Sequence, residues 1–258
     1  MSFFKKYSKF HKGYFILFLV VNLIIFGLSI YNKVSIGESP TIFDVLALTT
    51  TVTGMLSGIY TARGELGAFT WGVVNTFTYI FVAWHSQIYG QAILYIFFET
   101  PMQVVSYFIW KRNMQKSDAV TVEPRKLNLK KWIVLIILFI IVWFIYGTFI
   151  NYLPEIFKTD FSILIKKDPL YIIDSLSTTL TITAVILTSM RFIEQWYFWI
   201  ASSFIGIIVF VLSLFISSFS LNSLSAMIMW IEILSNSVYG FILWKKLKQA
   251  NKAKATTV

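Results

Sequence analysis

Eight runs of about 20 mostly apolar residues follow one another along the chain, at 14–31, 42–62, 66–84, 88–110, 132–151, 170–190, 195–217 and 221–244. A helix of that length matches the hydrocarbon thickness of a bilayer, and a segment crossing lipid must satisfy its own backbone polar groups. Each run is therefore expected to be a transmembrane helix. Composition agrees: 57% of the 258 residues are apolar and 13% charged, against about 45–50% and about 25% in soluble domains. Too few charges remain to keep an extended surface in water, which excludes an ordinary soluble enzyme. The first run follows Lys5, Lys6, Lys9 and Lys12 as a signal peptide would, but no small-residue cleavage site succeeds it, so it is read as a helix. The absence of Cys, with only His11 and His85 as imidazoles, excludes disulfides, thiolate chemistry and Cys- or His-rich metal centres. No HExxH, nucleophile elbow or phosphate-cradling Gly loop is present, so neither an enzyme nor a cofactor is expected.

The net charge of +10 would suit nucleic acid if the cations formed one surface patch. They are sorted by side instead. Of the 22 Lys and Arg, 18 fall in the two termini and the alternate loops around Arg63, 111–131 and Arg191, and only Lys33, Lys158, Lys166 and Lys167 fall in the other set. The positive-inside rule places the richer set, both termini included, in the cytoplasm, where anionic headgroups face it. A lipid bilayer, not nucleic acid, is the partner this charge implies.

Residues 44–110 and 174–244 follow one script. Each opens after a helix-start pair, Ser39-Pro40 or Asp168-Pro169, and carries Asp44 or Asp174 in its first turns. Thr49 and Thr179 lie five residues beyond that Asp, and Thr53 and Thr183 nine beyond. A short turn then holds Arg63 and Glu65, or Arg191 and Glu194. The next span begins near Trp71 or Trp199, and the last carries Glu99 or Glu232 and ends at Trp110 or Trp244. One helix between two triplets makes them enter the membrane in the same direction, as parallel repeats with a site between them at mid-depth. The expected fold is all-α, a polytopic membrane protein with eight transmembrane helices, in a 3+1+3 arrangement plus an extra N-terminal helix. Its parts are a cytoplasmic N-terminus and extra helix at 1–35, the first repeat at 40–113, a cytoplasmic loop, linker helix and external loop at 114–168, the second repeat at 169–246, and a cytoplasmic tail at 247–258.

Asp44 and Asp174 suit helix N-termini, where a carboxylate meets unpaired N–H groups and the positive dipole end. Glu99 and Glu232 stand deep in apolar spans, where a charge costs at least about 2.5 kcal/mol. Each must face a cavity or a partner, accepting hydrogen bonds from a polar ligand, relaying protons, or lying buried without function. The Arg–Glu turns read as interfacial salt bridges, and the Thr and Ser stretches either line a pathway or satisfy helix carbonyls. Trp84, Trp110, Trp132 and Trp244 fall at span ends and read as aromatic-belt anchors. Trp71, Trp199 and Trp230 lie further in and offer stacking faces. Trp71 and Asn75 share one helix face, which Tyr79 continues a turn later, so an indole and a two-way amide point together. That pairing suits a flat heterocycle carrying a carboxamide or a sugar.

With Trp71-Gly72-Val73-Val74-Asn75 in place, the chain resembles the nicotinamide riboside transporter family, often called PnuC, distant relatives of the SWEET sugar carriers. Gly64-Glu65, Ile88-Tyr89-Gly90, Gln91 and Pro101-Met102-Gln103 stand around that motif. In the second repeat Asp174-Ser175, Glu194-Gln195-Trp196, Trp199, and Trp230 through Tyr239-Gly240 to Trp244 follow. The resemblance implies a bacterial inner-membrane carrier that passes a dephosphorylated vitamin precursor down its gradient, with phosphorylation trapping it inside, and it suggests a homotrimer. It makes Trp71 the stacking face and Asn75 the amide clamp. In the second repeat Ser203 stands where the family has Asn, so the second clamp is lost, and thiamine, riboflavin or deoxyribonucleosides stay open beside nicotinamide riboside. The expected contacts are Trp71, Asn75, Tyr79, Gln91, Glu99, Gln103, Trp199, Ser203, Trp230, Glu232 and Asn236. Proton coupling through Glu99 and Glu232 is the other reading of the same fold.

Overall fold

The computed structural model describes residues 7–86, 89–117, 119–156, 171–216 and 221–256. Their helices are α1 (Lys9–Ser35), α2 (Ile42–Arg63), α3 (Gly67–His85), α4 (Tyr89–Leu94), a π-helical turn (Tyr95–Glu99), α5 (Thr100–Ser117), α6 (Leu129–Ile156), α7 (Tyr171–Ser189), α8 (Gln195–Ile216) and α9 (Leu221–Thr256). Six helical stretches are long and apolar enough to cross a membrane: Lys9–Ser35, Ile42–Arg63, Gln91–Ser117, Leu129–Tyr152, Tyr171–Ser189 and Leu224–Ala250. Gln195–Val209 is apolar but shorter. Among the described residues the other expected spans are helical too, as α3 and α8, but fall outside those six.

The expected span at 88–110 is one helix with a register change. The Thr100 N–H bonds the Tyr95 carbonyl, five residues back, in the π turn that ends at Glu99. Pro101 gives the physical reason: without an N–H it cannot bond the carbonyl four residues earlier, and the ladder adjusts around it. Helix α6 turns a row of large apolar side chains outward, Ile133, Ile136, Ile137, Ile140 and Phe144 among them, as a lipid-facing helix does. Helix α7 is the reverse, with Ser175, Thr179, Thr183 and Leu187 buried, and it packs against α5, α6 and α8. Helix α2 packs against α1, α3 and α9.

Capping explains where α2 starts. Thr41 is the N-cap, its N–H donates to Asp44 Oδ2 at 2.7 Å, and Lys33 Nζ pairs with Asp44 Oδ1 at 2.6 Å. Asp44 is thus the capping carboxylate expected, set by Thr41 and not by Ser39. Asp168-Pro169 lies outside the described residues.

Helices α2 and α7 end alike. Gly64 has φ +69° and Arg191 φ +65°, each closing a paired-hydrogen-bond cap. Gly64 N–H donates to Thr61 O and Glu65 N–H to Tyr60 O, while Arg191 N–H donates to Thr188 O and Phe192 N–H to Leu187 O. The same two carbonyls also receive indoles from afar. Trp244 Nε1 of α9 donates to Thr61 O at 2.9 Å, and Trp110 Nε1 of α5 donates to Thr188 O at 2.9 Å. Both indoles are 0% exposed and pack with Phe69, Trp196 and Ala62. This corrects the belt reading of these two: an anchor would be wet at its N–H, whereas these are the centre of an interior plug. Trp84, at 53% exposure, keeps the character of a surface aromatic.

Residues 119–128 lie across the two ends. Val122 N–H donates to Gly64 O at 2.9 Å, Arg125 N–H to Arg191 O at 2.7 Å, and Ile193 N–H to Arg125 O at 3.0 Å. The Arg63–Glu65 pair forms as expected, at 2.5 Å. The Arg191–Glu194 pair does not. Glu194 turns inward and its Oε1 accepts the Leu127 N–H at 3.0 Å, while Arg191 Nη1 reaches Glu123 O at 3.4 Å. Burial, and then the neighbouring Arg125, hold the Arg191 pKa below its ordinary value.

A left-handed backbone costs an L side chain about 1–2 kcal/mol and costs glycine nothing. Gly64→Ala should lower the melting temperature of the detergent-solubilised protein by a few degrees, since a Cβ there would also come within 3.2 Å of Val122 Cγ1. Arg191→Gly should raise it. Equal melting temperatures for Gly64→Ala and wild type would contradict the cap.

Candidate functional site

Most hydroxyls of the Thr- and Ser-rich helices are already engaged. Thr49, Thr51 and Thr53 donate to the carbonyls of Val45, Ala47 and Thr49, and Thr179, Thr181 and Thr183 to those of Ser175, Ser177 and Thr179. These groups satisfy their own helices, and of the two readings left open the structure supports this one.

The amides are placed differently. Asn75 Nδ2 donates to Thr50 O at 2.7 Å, which draws its side chain across α2 at Gly54, where a Cβ would come within 2.8 Å of Nδ2. One turn along α2, a Cβ on Gly58 would come within 3.0 Å of Asn236 Nδ2. Two glycines four apart therefore seat one amide from α3 and one from α9 on a single face of α2. The buried Asn236 Oδ1 has no hydrogen-bond partner among the described residues.

Glu232 lies one turn before Asn236 on α9. It is 4% exposed, and its Oε2 is buried without a partner among the described residues. Glu99 is 5% exposed at the end of the π turn, and such turns re-aim the side chains they carry. Each Glu stands eight residues into its candidate span. The Tyr79 and Tyr95 rings lie 4.3 Å apart, which sets Tyr79 of α3 against the π turn four residues before Glu99.

Gln103 rests its carboxamide on Gly72, next to Trp71, where any Cβ would overlap Oε1. Trp71 itself is half-buried. Trp230 lies on Gly206 of α8 in the same manner. Gln91 is half-buried at the start of its span. Trp199 belongs with the plug: its Nε1 donates to Thr188 Oγ1 at 3.3 Å and its ring packs against that cluster. Ser203 is fully buried, and its hydroxyl donates to Trp199 O at 2.7 Å.

The structure thus brings Asn75 and Asn236 together over α2, sets Glu232 a turn from Asn236, and packs Tyr79 against Tyr95 of the π turn that ends at Glu99. Trp199 and Ser203 lie towards the plug. Sequence reasoning missed Tyr95, whose ring packs on that of Tyr79. The Gly54/Gly58 spacing, at i and i+4 on a helix otherwise rich in Thr, was the available signal. No group of three or more His, Cys, Asp or Glu suited to a metal occurs among the described residues. The arrangement supplies amide and carboxyl hydrogen bonding in an apolar frame, the chemistry of a neutral polar ligand with flat faces.

A buried carboxylate with no cation beside it is expensive, and its neutral isostere costs less. Glu99→Gln and Glu232→Gln should therefore leave the melting temperature unchanged or raised. Glu194→Gln should lower stability by about 1 kcal/mol through its weakened bond to Leu127. A fall of several degrees for the first two would mean that their carboxylates hold the fold together.

The family profile described as nicotinamide mononucleotide transporter matches residues 44–246. Over 205 residues the chain is 29% identical to the nicotinamide riboside transporter PnuC of Haemophilus influenzae, covering 78% of this chain and 80% of that protein. It is 24% identical over 205 residues to the nicotinamide riboside transporter PnuC of Neisseria mucosa, covering 78% and 72%. The crystal structure of the vitamin B3 transporter PnuC shares its fold, with a TM-score of 0.70 at 21% identity over 95% of this chain and 94% of that one.

Proposed function

The chain belongs to the nicotinamide mononucleotide transporter family, a family of transporters and not of enzymes, and from that premise we propose that it carries nicotinamide riboside into the cell by facilitated diffusion. Phosphorylation in the cytosol then traps the cargo. The single observation that carries the reading is the amide pair, Asn75 and Asn236, seated on adjacent turns of α2 with Glu232 a turn away. A carboxamide needs a donor and an acceptor at once, and a ribose needs acceptors for its hydroxyls. Two amides and a carboxyl supply both.

In this reading eight helices span the bacterial inner membrane. The first repeat is α2 through α5, the second α7 through α9, α6 links them, and α1 is additional. Matching caps on α2 and α7, each captured by an indole from the other triplet, support the pairing of the repeats. In this reading the positive-inside distribution puts both termini and the indole plug on the cytoplasmic side. Homotrimer formation is part of the proposal on family grounds.

The second amide clamp, absent at Ser203, is supplied by Asn236 from another helix. Trp71 and Gln103 complete the first half of the site over Gly72, Tyr79, Gln91 and Glu99 line its approach, and Trp230 and Glu232 complete the second. Uptake of labelled nicotinamide riboside into proteoliposomes tests this. Asn75→Ala and Asn236→Ala should each cut uptake about tenfold or more, and Ser203→Ala should stay within about twofold of wild type. Full activity in both Asn variants would overturn the site, and unlabelled thiamine or a deoxyribonucleoside outcompeting the riboside would overturn the substrate. Uptake unaffected by an uncoupler is expected of a uniporter.

A further inference from the structure

The turns that end α2 and α7 share a backbone form but differ in what supports them. The α2–α3 turn holds itself. Gly64 takes its φ of +69° without strain, Arg63 pairs with Glu65 inside the turn, and no buried side-chain nitrogen or oxygen of residues 61–66 lacks a partner among the described residues. Residues 119–128, which cross both ends as a strap, give this turn a single backbone hydrogen bond among the described residues, from Val122 to Gly64 O.

The α7–α8 turn lacks these supports. Arg191 sits in the left-handed region, at φ +65°, where a side chain is strained. Glu194 has turned away from it and is 3% exposed, with Oε2 buried and unpartnered among the described residues. Arg191 Nε, Gln195 Nε2 and Trp196 Nε1 are in the same condition. Four such atoms within six consecutive residues make the shut form of this turn costly. What holds it is the strap. Arg125 N–H donates to Arg191 O at 2.7 Å, Ile193 N–H to Arg125 O at 3.0 Å, and Leu127 N–H to Glu194 Oε1 at 3.0 Å. The Arg125 guanidinium lies over the Phe192 ring, 4.8 Å from its centroid, and the buried Leu127 packs with Phe192 and Leu187. The strap is itself anchored on α5, where Ala119 N–H donates to Met114 O and Glu123 N–H to Asn113 Oδ1. It runs on into α6, which packs on α7, so a shift of α6 and α7 against α5 acts directly on these bonds.

We propose that residues 125–127 are a latch for the plugged end: their release from the α7–α8 turn frees the end of α7, while the α2–α3 turn stays shut. One three-residue stretch supplies the latch bonds, so they form and part together. Glu194 is the side chain through which the turn is caught, and the α2–α3 turn is the fixed side. The part of the latch in letting cargo through rests on the transporter reading; the mechanical difference between the two turns does not.

The chain contains no Cys, so a single introduced cysteine reports on each end. Ser189→Cys at the end of α7 and Ala62→Cys at the end of α2 replace small residues that are 2% and 0% exposed. The test is the rate at which a small polar maleimide labels each in the full-length, detergent-solubilised protein, alone and combined with Glu194→Ala or with Glu65→Ala, its counterpart in the α2–α3 turn. Glu194→Ala should speed labelling at Ser189→Cys about fivefold or more and leave Ala62→Cys within about twofold. Glu65→Ala should leave both within about twofold. Arg191→Gly, which removes the left-handed strain, should undo most of the Glu194→Ala effect. Glu194→Gln, with its weaker acceptor, should speed Ser189→Cys about threefold, and it decides the comparison if Glu194→Ala does not fold. Equal acceleration at both cysteines, or none at Ser189→Cys, would overturn the latch. Saturating nicotinamide riboside should speed labelling of Ser189→Cys about twofold or more; no such effect in a protein that takes the riboside up into proteoliposomes would overturn the latch's part in transport. A wild type that takes up no riboside would overturn the transporter reading alone, and the labelling comparison would still decide the latch.

Discussion

Two indole N–H groups and two helix-end carbonyls organise this molecule. Every helix leaves its last carbonyls without an internal partner, and in lipid no water replaces one. Helices α2 and α7 close their ends with left-handed caps at Gly64 and Arg191, and Thr61 and Thr188 each hold one further bond open for an indole. Trp244 of α9 fills the first and Trp110 of α5 the second. Their rings lie 5.6 Å apart, and Trp196 packs 5.9 Å from Trp244. Under the proposed repeat pairing the exchange is reciprocal, so parting the two halves at this end would break both bonds together.

The segment at 119–128 strengthens the same junction. Gly64 O and Arg191 O, the carbonyls of the two left-handed residues, both accept from it, through Val122 and Arg125. Its extended backbone would otherwise leave donors unpaired beside the membrane surface. Val122 is fully buried under the first turn and Leu127 under the second. A loop read in sequence only as part of a cation-rich cytoplasmic connection is a strap across both helix ends, and its two cations, Arg125 and Lys126, explain its polarity without explaining its position.

Hydropathy made the helices legible because lipid imposes a length and a composition that few other environments do. Position within a helix was legible in part where the reason is local: Asp44 was read as a first-turn capping carboxylate, but the N-cap it serves is Thr41, three residues before it, and not Ser39. It failed where the partner is remote. Trp110 and Trp244 look the same in sequence whether they face headgroups or each other, and only the Thr61 and Thr188 carbonyls decide. Arg191 and Glu194 hold the place of Arg63 and Glu65 in the repeat but lie three residues apart instead of two; Arg191 itself takes the left-handed position that glycine takes in the first turn, and Glu194 is drawn to Leu127. In the candidate site, Glu99, Glu232 and Asn75 were visible as polar residues in apolar spans. The seat for Asn236 was not, because it consists of the absence of a side chain at Gly58.

The distribution of satisfied and unsatisfied groups carries one further step. At the plug the two indole bonds to Thr61 and Thr188 are made, while Trp196 Nε1 beside them and, on α9, Glu232 Oε2 and Asn236 Oδ1 stay buried without partners among the described residues. An unsatisfied buried polar atom costs about 1–3 kcal/mol and a hydrogen bond contributes about 0.5–1.5 kcal/mol, so in the proposed site a cargo that satisfied Glu232 Oε2 and Asn236 Oδ1 would recover at least as much as the two indole bonds contribute. A ligand shifts a conformational equilibrium only by its difference in affinity for the two states. In the proposed transporter, a cargo bound better by one arrangement of Glu232 and Asn236 than by another would therefore shift the balance against the two indole bonds by that difference alone.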